Sequence, residues 1–168
     1  KMNIIDGDRV AILAHNSDRY FEFLYSVSWA GGVFVPINTR LAPPEIQFWI
    51  NDSESKIIFV DKSFAEIVKN LSKENKIPTI KEIIYISDDA TPDSMINYDS
   101  LISNDTTDDA LKGYNDLAGL FYTGGTTGRS KGVMLTHTNM VIDALNCAVM
   151  VNMNEEAKWL HAAPMFHI

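Results

Sequence analysis

Apolar and polar positions alternate along this chain in blocks that change period. Arg9-Val-Ala-Ile-Leu-Ala14 is a short apolar run with the length of a buried strand. After it, Asn16 or Ser17 can cap a helix through about Trp29, with Tyr20, Phe23, Leu24 and Val27 on one face. Gly31-Gly32 stops that helix. Val33 to Ile37 is a second strand. Pro43, Pro44 and Glu45 suit the first turn of a helix that runs to about Asp52. Lys56 to Val60 is a third strand, Ser63 to about Lys73 a helix, and Glu82 to Ile86 a fourth strand. From Ser87 to Asn115 the pattern breaks into an aspartate-rich connection, with one short helical piece near Tyr98 to Ile102. Asp116 to Tyr122 and Gly132 to Thr136 are two further strands. Thr138 can cap a last helix, on which Val141, Ala144, Leu145, Ala148 and Val149 form one core-facing stripe. Lys158 to Ala162 has the pattern of a final strand. Strands alternating with helices predict an α/β fold, a mainly parallel sheet flanked by helices.

Composition narrows the class. With 46% apolar residues in 168, the chain can build one globular domain with a core. A net charge of −8 argues against a nucleic-acid surface, which needs a basic face. Cys147 is the single cysteine, so no disulfide forms within the chain, and a reducing cytoplasmic setting is expected. Its place in an apolar helical pattern predicts a buried position. Trp29, Trp49 and Trp159 are expected in the core, as are most methionines, among them Met134, Met140, Met150 and Met153. No apolar run reaches transmembrane length. Peripheral membrane association and a homodimer are left open.

The chemistry concentrates between the last two strands before the final helix. Tyr122-Thr123-Gly124-Gly125-Thr126-Thr127-Gly128-Arg129-Ser130-Lys131-Gly132 packs four glycines, three threonines and a lysine into one loop. Glycines let the backbone approach a ligand and adopt positive φ. Successive N–H groups make an anion nest, and hydroxyls add donors to phosphate or a ligand to a hard cation. The lysine adds a mobile positive charge. A Walker A loop is excluded, because no Gly-Lys dipeptide occurs in the chain. A dinucleotide fingerprint fits poorly: Thr123 stands in the first glycine position, and a strand, not a helix, follows. Gly128-Arg-Ser130-Lys-Gly132 spells a hydrolase nucleophile elbow, with Asp143 and then His161 or His167 in hydrolase order. The elbow needs a strand just before the serine and a helix just after, and it leaves the threonines unexplained. A Gly-rich surface turn without a ligand leaves the interleaved hydroxyls and lysine unexplained as well.

The loop resembles the phosphate-binding signature of the adenylate-forming (AMP-binding) enzymes, which include acyl-CoA synthetases. Two more segments share the resemblance in the family's order: Gly31 to Ile46, and Ala163-Pro-Met-Phe-His-Ile168. It covers the chain from about Asp6 onward. It implies part of the larger N-terminal domain of an adenylate-forming enzyme, with residues 1–168 a partial N-terminal (AMP-binding) domain and the rest of that domain and the C-terminal domain absent. It also implies ATP-dependent activation of a carboxylic acid, a fatty acid before others, to an acyl-adenylate, then thioester formation with coenzyme A. Thr123, Thr126, Thr127 and the backbone of Gly124, Gly125 and Gly128 would grip the β- and γ-phosphates. Lys131 would neutralise the leaving pyrophosphate, Thr123 would contact Mg²⁺, and His167 would lie near the α-phosphate and carboxylate. His137 is expected to be structural, and His15 and His161 are assigned no role. Gly124 departs from a frequent serine or threonine and Ser130 from a frequent proline, which loosens the loop. By itself the chain is expected to be inactive. The alternatives are a non-catalytic nucleotide-binding module and a serine hydrolase using Ser130.

Overall fold

The computed structural model describes residues 4–103, 105–124 and 128–167. Seven strands form one sheet: β1 (Arg9–Leu13), β2 (Val33–Pro36), β3 (Ile57–Val60), β4 (Glu82–Tyr85), β5 (Ile96–Asn97), β6 (Leu117–Thr123) and β7 (Lys131–Thr136). Their order is β5-β4-β3-β1-β2-β6-β7. Every neighbouring pair is parallel except β6 and β7, which are antiparallel. Among the described residues four α-helices flank the sheet: α1 (Asp18–Trp29), α2 (Pro43–Asp52), α3 (Ala65–Lys73) and α4 (His137–Met150).

The strands β1 to β4 read as continuous apolar runs because both faces of the sheet are covered. Their side chains alternate between two cores. Val10, Ile12, Phe34, Ile57 and Phe59 face α1, meeting Tyr20, Phe23 and Val27. Ala11, Leu13, Val35, Ile58 and Val60 face α2 and α3, meeting Ile46, Trp49, Ile50, Val68 and Leu71. The Ser17 hydroxyl caps α1 by accepting from the Tyr20 amide at 3.1 Å. Past its C-terminus Gly31 turns the chain at φ +79°, a conformation that favours glycine.

Several expectations need correction. Thr136, not Thr138, caps α4: its hydroxyl accepts from the Asn139 amide, and Asn139 reaches back to the Thr136 amide, a reciprocal capping box. The stripe on α4 is not core, since no residue of the helix is buried; Val149 is 80% exposed and Leu145 56%. Cys147 is exposed on the same helix. Among the tryptophans Trp49 is buried, whereas Trp29 and Trp159 are more than half exposed. Trp29 still uses its indole N–H, donating to the Thr107 carbonyl. Met134, Met150 and Met153 are exposed, while Met140 packs against the α1-side core. Residues 158–162 have no regular structure, because no described strand pairs with them. The short strand β5 and the 3₁₀ turn Tyr98–Leu101 that follows it interrupt the acidic connection. Its aspartates are not all free in solvent: Asp88 and Asp99 both meet the Arg19 guanidinium.

Candidate functional site

The candidate loop is the connection of an antiparallel hairpin. The β6–β7 register pairs Phe121 with Val133, Tyr122 with Gly132 and Thr123 with Lys131. Thr123 and Lys131 are therefore direct cross-strand partners at the mouth of the loop. Residues so placed share a face, with Cβ atoms about 5 Å apart. Hydroxyl and ammonium thus project together, set by the ladder rather than by the loop itself.

A Cβ built on Gly124 or Gly128 would meet nothing within 4 Å, so these two positions stand clear of their surroundings. Positive φ is not how the described loop glycines work: Gly124, Gly128 and Gly132 all lie outside that region. Gly132 serves another purpose. A Cβ there would sit 3.2 Å from the Tyr122 ring, so its absence lets that ring lie across the hairpin. Gly125, Thr126 and Thr127 lie outside the described residues.

Both arms of the hairpin rest on α2. On the entry arm, the Tyr122 ring stacks on Trp49 at 4.7 Å between centroids and 20° between planes. The Tyr122 hydroxyl donates to Asp52 at 2.7 Å. Burial, and then the Asp52 carboxylate, raise the Tyr122 pKa and keep the phenol protonated. On the exit arm, the Arg129 guanidinium lies over the Phe48 ring, 5.5 Å from its centroid. The sequence marks Trp49 only as core, and it gives Phe48 and Asp52 no part in the site. Their spacing puts all three on one face of α2, but the partner of Asp52 lies 70 residues away.

Ser130 immediately precedes β7, and the preceding strand ends at Thr123. The strand–serine–helix geometry of a nucleophile elbow is therefore missing.

The segment carrying His167 docks elsewhere on the same sheet edge. Asn16, just past β1, binds its backbone at Ala163 and Met165. Phe166 is buried, the His167 amide donates to the Pro164 carbonyl at 3.0 Å, and the His167 ring is exposed. Between this segment and the strand ends lies a cleft of about 510 Å³, lined by His15, Asn16, Thr39, Arg40, Pro164 and Phe166. His15 and Asn16 follow β1, and Thr39 and Arg40 follow β2. Because β1, β2 and β6 are mutually parallel neighbours, Thr123 leaves the sheet at this same carboxyl edge. Open α/β sheets place ligands at that edge. Among the described residues, no hydrogen bond or ring contact joins His167 to Thr123 or Lys131.

His15 has no role in the sequence reading, yet it is well tethered. Its amide and its Nδ1 both meet Asp61 Oδ2, at 2.8 and 3.0 Å, and its ring stacks on Phe64. Among the described residues, no group of three or more His, Cys, Asp or Glu side chains is placed to hold a metal. No described helix is long and apolar enough to cross a membrane.

Comparison with known proteins identifies the family and the fold. The family model for AMP-binding enzymes matches residues 1–168. A feruloyl-CoA synthase from Amycolatopsis sp is 34% identical over 161 residues, covering 96% of this chain and 30% of the relative. A medium-chain-fatty-acid–CoA ligase from Ectopseudomonas oleovorans is 31% identical over 177 aligned positions, covering 100% of this chain and 32% of the relative. The crystal structure of ATP-bound MatB from Rhodopseudomonas palustris superposes with a TM-score of 0.79 at 28% identity, covering 99% of this chain and 32% of that one. The chain thus spans about a third of the length of these relatives.

Proposed function

The chain belongs to the family of AMP-binding enzymes, and on that premise we propose that it supplies the pyrophosphate-holding part of an acid–thiol ligase. In the whole enzyme a carboxylate oxygen attacks the α-phosphorus of ATP. The bond from that phosphorus to the bridging oxygen breaks, and pyrophosphate leaves. The thiol of coenzyme A then attacks the acyl carbon and releases AMP. The substrate we favour is a fatty acid, in keeping with the medium-chain ligase among the relatives. We assign the reaction to the cytoplasm. On this reading residues 1–168 are a partial N-terminal domain.

The observation that carries this reading is the shared sheet edge. Thr123, at the carboxyl end of β6, and its cross-strand partner Lys131 lie at the same sheet edge as the Pro164–His167 turn, which docks beside the end of β1. The open space around Gly124 and Gly128 leaves room for a phosphate chain against the hairpin mouth. Lys131 balances the charge that builds on the departing pyrophosphate, and Thr123 donates to a phosphate oxygen or ligates the accompanying cation. Mg²⁺, when bound, draws charge from the phosphate oxygens. Thr126 and Thr127 add hydroxyl contacts, and His167 faces the reacting carboxylate.

Such electrostatic contacts are worth about 10²–10³-fold in rate. In the intact ligase, Lys131→Ala and Thr126→Ala should each slow ATP–pyrophosphate exchange by that order, while Ser130→Ala stays mild. The 168-residue chain alone should release no pyrophosphate from MgATP and a carboxylic acid. Unchanged exchange in both loop variants sinks the loop assignment. Loss of activity on Ser130→Ala, together with fluorophosphonate labelling of Ser130, would favour the hydrolase instead.

A further inference from the structure

Asn16 stands one residue before the cap of α1, where a capping role is its expected use. The structure gives that role to Ser17 and leaves the Asn16 amide for other partners. Both ends of that amide are spent on backbone far along the chain. Its Nδ2 donates to the Ala163 carbonyl at 2.7 Å, 147 residues away. Its Oδ1 accepts from the Met165 amide at 2.8 Å, 149 residues away. The opposed donor and acceptor settle which way the amide points. Between the two contacts sits Pro164, which has no N–H to offer. The side chain pairs with this stretch as the peptide of a neighbouring strand would, where no strand is present.

The consequence falls on His167. Residues 151–163 carry no helix or strand that could hold the segment in place. Among the described residues its anchors are the Asn16 amide at residues 163 and 165, the buried ring of Phe166 and the Met165 side chain packed against the α1-side core. His167 is the next residue, and its amide closes the turn onto Pro164. Aspartate in place of Asn16 could accept from Met165 but would set a carboxylate against the Ala163 carbonyl. Serine offers one hydroxyl for two opposed partners.

We propose that Asn16 is a positioning residue for the adenylation step: it pins the 163–167 turn to the end of β1 and so aims His167 at the reacting carboxylate. The proposal rests on the ligase reading and on His167 being part of that site.

The test uses the full-length ligase with Asn16→Ala, Asn16→Asp, His167→Ala and the double variant Asn16→Ala/His167→Ala. Two readouts are needed. Amide hydrogen exchange over residues 163–167 reports the anchor without reference to activity. Steady-state ATP–pyrophosphate exchange reports kcat and the KM for MgATP. A misplacement of about 1 Å can cost about 10²-fold. Asn16→Ala should therefore speed exchange at the Met165 amide and lower kcat by up to about that factor, with the KM for MgATP unchanged. Asn16→Asp keeps the bond from Met165 but sets a carboxylate against the Ala163 carbonyl, so it should fall below the parent in kcat as Asn16→Ala does. The double variant should be no slower than His167→Ala, because both changes act through one group.

Three results would overturn the proposal. A slow His167→Ala beside an Asn16→Ala with unaltered kcat would show that the anchor aims nothing. Losses that multiply in the double variant would show that Asn16 acts through something other than His167. Faster Met165 exchange in Asn16→Ala with an unimpaired His167→Ala would leave the anchor real but remove His167 from the site. That last outcome identifies the failure of the site reading rather than of the contact, and the Lys131 variant reports separately on the ligase reading.

Discussion

The two sides of this sheet are built on different terms. On one side, β1 to β4 are covered on both faces, and Val10, Ala11, Ile12 and Leu13 are fully buried along a single strand. On the other, β6 and β7 carry the candidate loop, much of β7 is exposed, and α4 beside them buries no residue. The first side is closed by its own helices. The second is joined to it along the β2–β6 seam, where Phe34 pairs with Gly119, and by the contacts of Tyr122 and Arg129 with α2. What differs is coverage, not composition: α4 is as apolar as a core helix. The candidate loop thus sits on the side where α4 leaves its apolar surface exposed, braced against the closed side by α2.

The largest expected effect separates the two sides directly. Phe23 is fully buried between Tyr20 and Phe59. Phe23→Ala should destabilise the chain by about 3–5 kcal/mol in denaturant unfolding, from lost burial and the cavity left behind. Leu145→Ala on α4 should stay within about 0.5 kcal/mol, as surface changes do. A large cost at Leu145 in the 168-residue chain would break the comparison, because it would mean that a second copy covers α4 in solution. Sedimentation across a concentration series would then show the dimer.

The seam comes next. A Cβ on Gly119 would lie 2.6 Å from the Phe34 ring and 2.9 Å from Phe121. Gly119→Ala should cost about 1–3 kcal/mol through overpacking, and Phe34→Leu in the same chain should recover part of it. If Gly119→Ala left the chain as stable as the parent, the two sides would not be joined as tightly as the close approach suggests.

How much of this was legible in the sequence follows the same division. The buried strands and α1 to α3 announce themselves, because apolar runs bounded by Pro, Gly and cap residues have one reading when both faces are covered. The stripe on α4 follows the same rule and misleads, since periodicity reports which face is apolar and not whether anything packs on it. Cys147 and Met150 lie on that uncovered helix and are exposed for that reason, whereas Trp159 is exposed because its segment forms no strand. The place of the loop between two strands was legible, and its glycines, threonines and lysine are what make it a candidate site. Its mechanical support was not. Asp52 and Asn16 act through partners far away in sequence, and a single chain carries no mark of such pairings.

The smallest effect tests the brace between the sides. Tyr122 reaches α2 in two ways, by its ring on Trp49 and by its hydroxyl on Asp52. Tyr122→Phe keeps the ring and removes the hydroxyl, so it isolates the second contact. The net worth of such a bond is about 0.5–1.5 kcal/mol. Asp52→Asn retains an acceptor for the phenol and should cost less than Tyr122→Phe. The double variant should cost little more than Tyr122→Phe alone, since the two groups share one interaction. Strict additivity in unfolding measurements would mean that the hydroxyl and carboxylate stabilise the chain independently. The stack on Trp49 would then be what ties the loop to the closed side, and Trp49→Ala would be the variant that frees it.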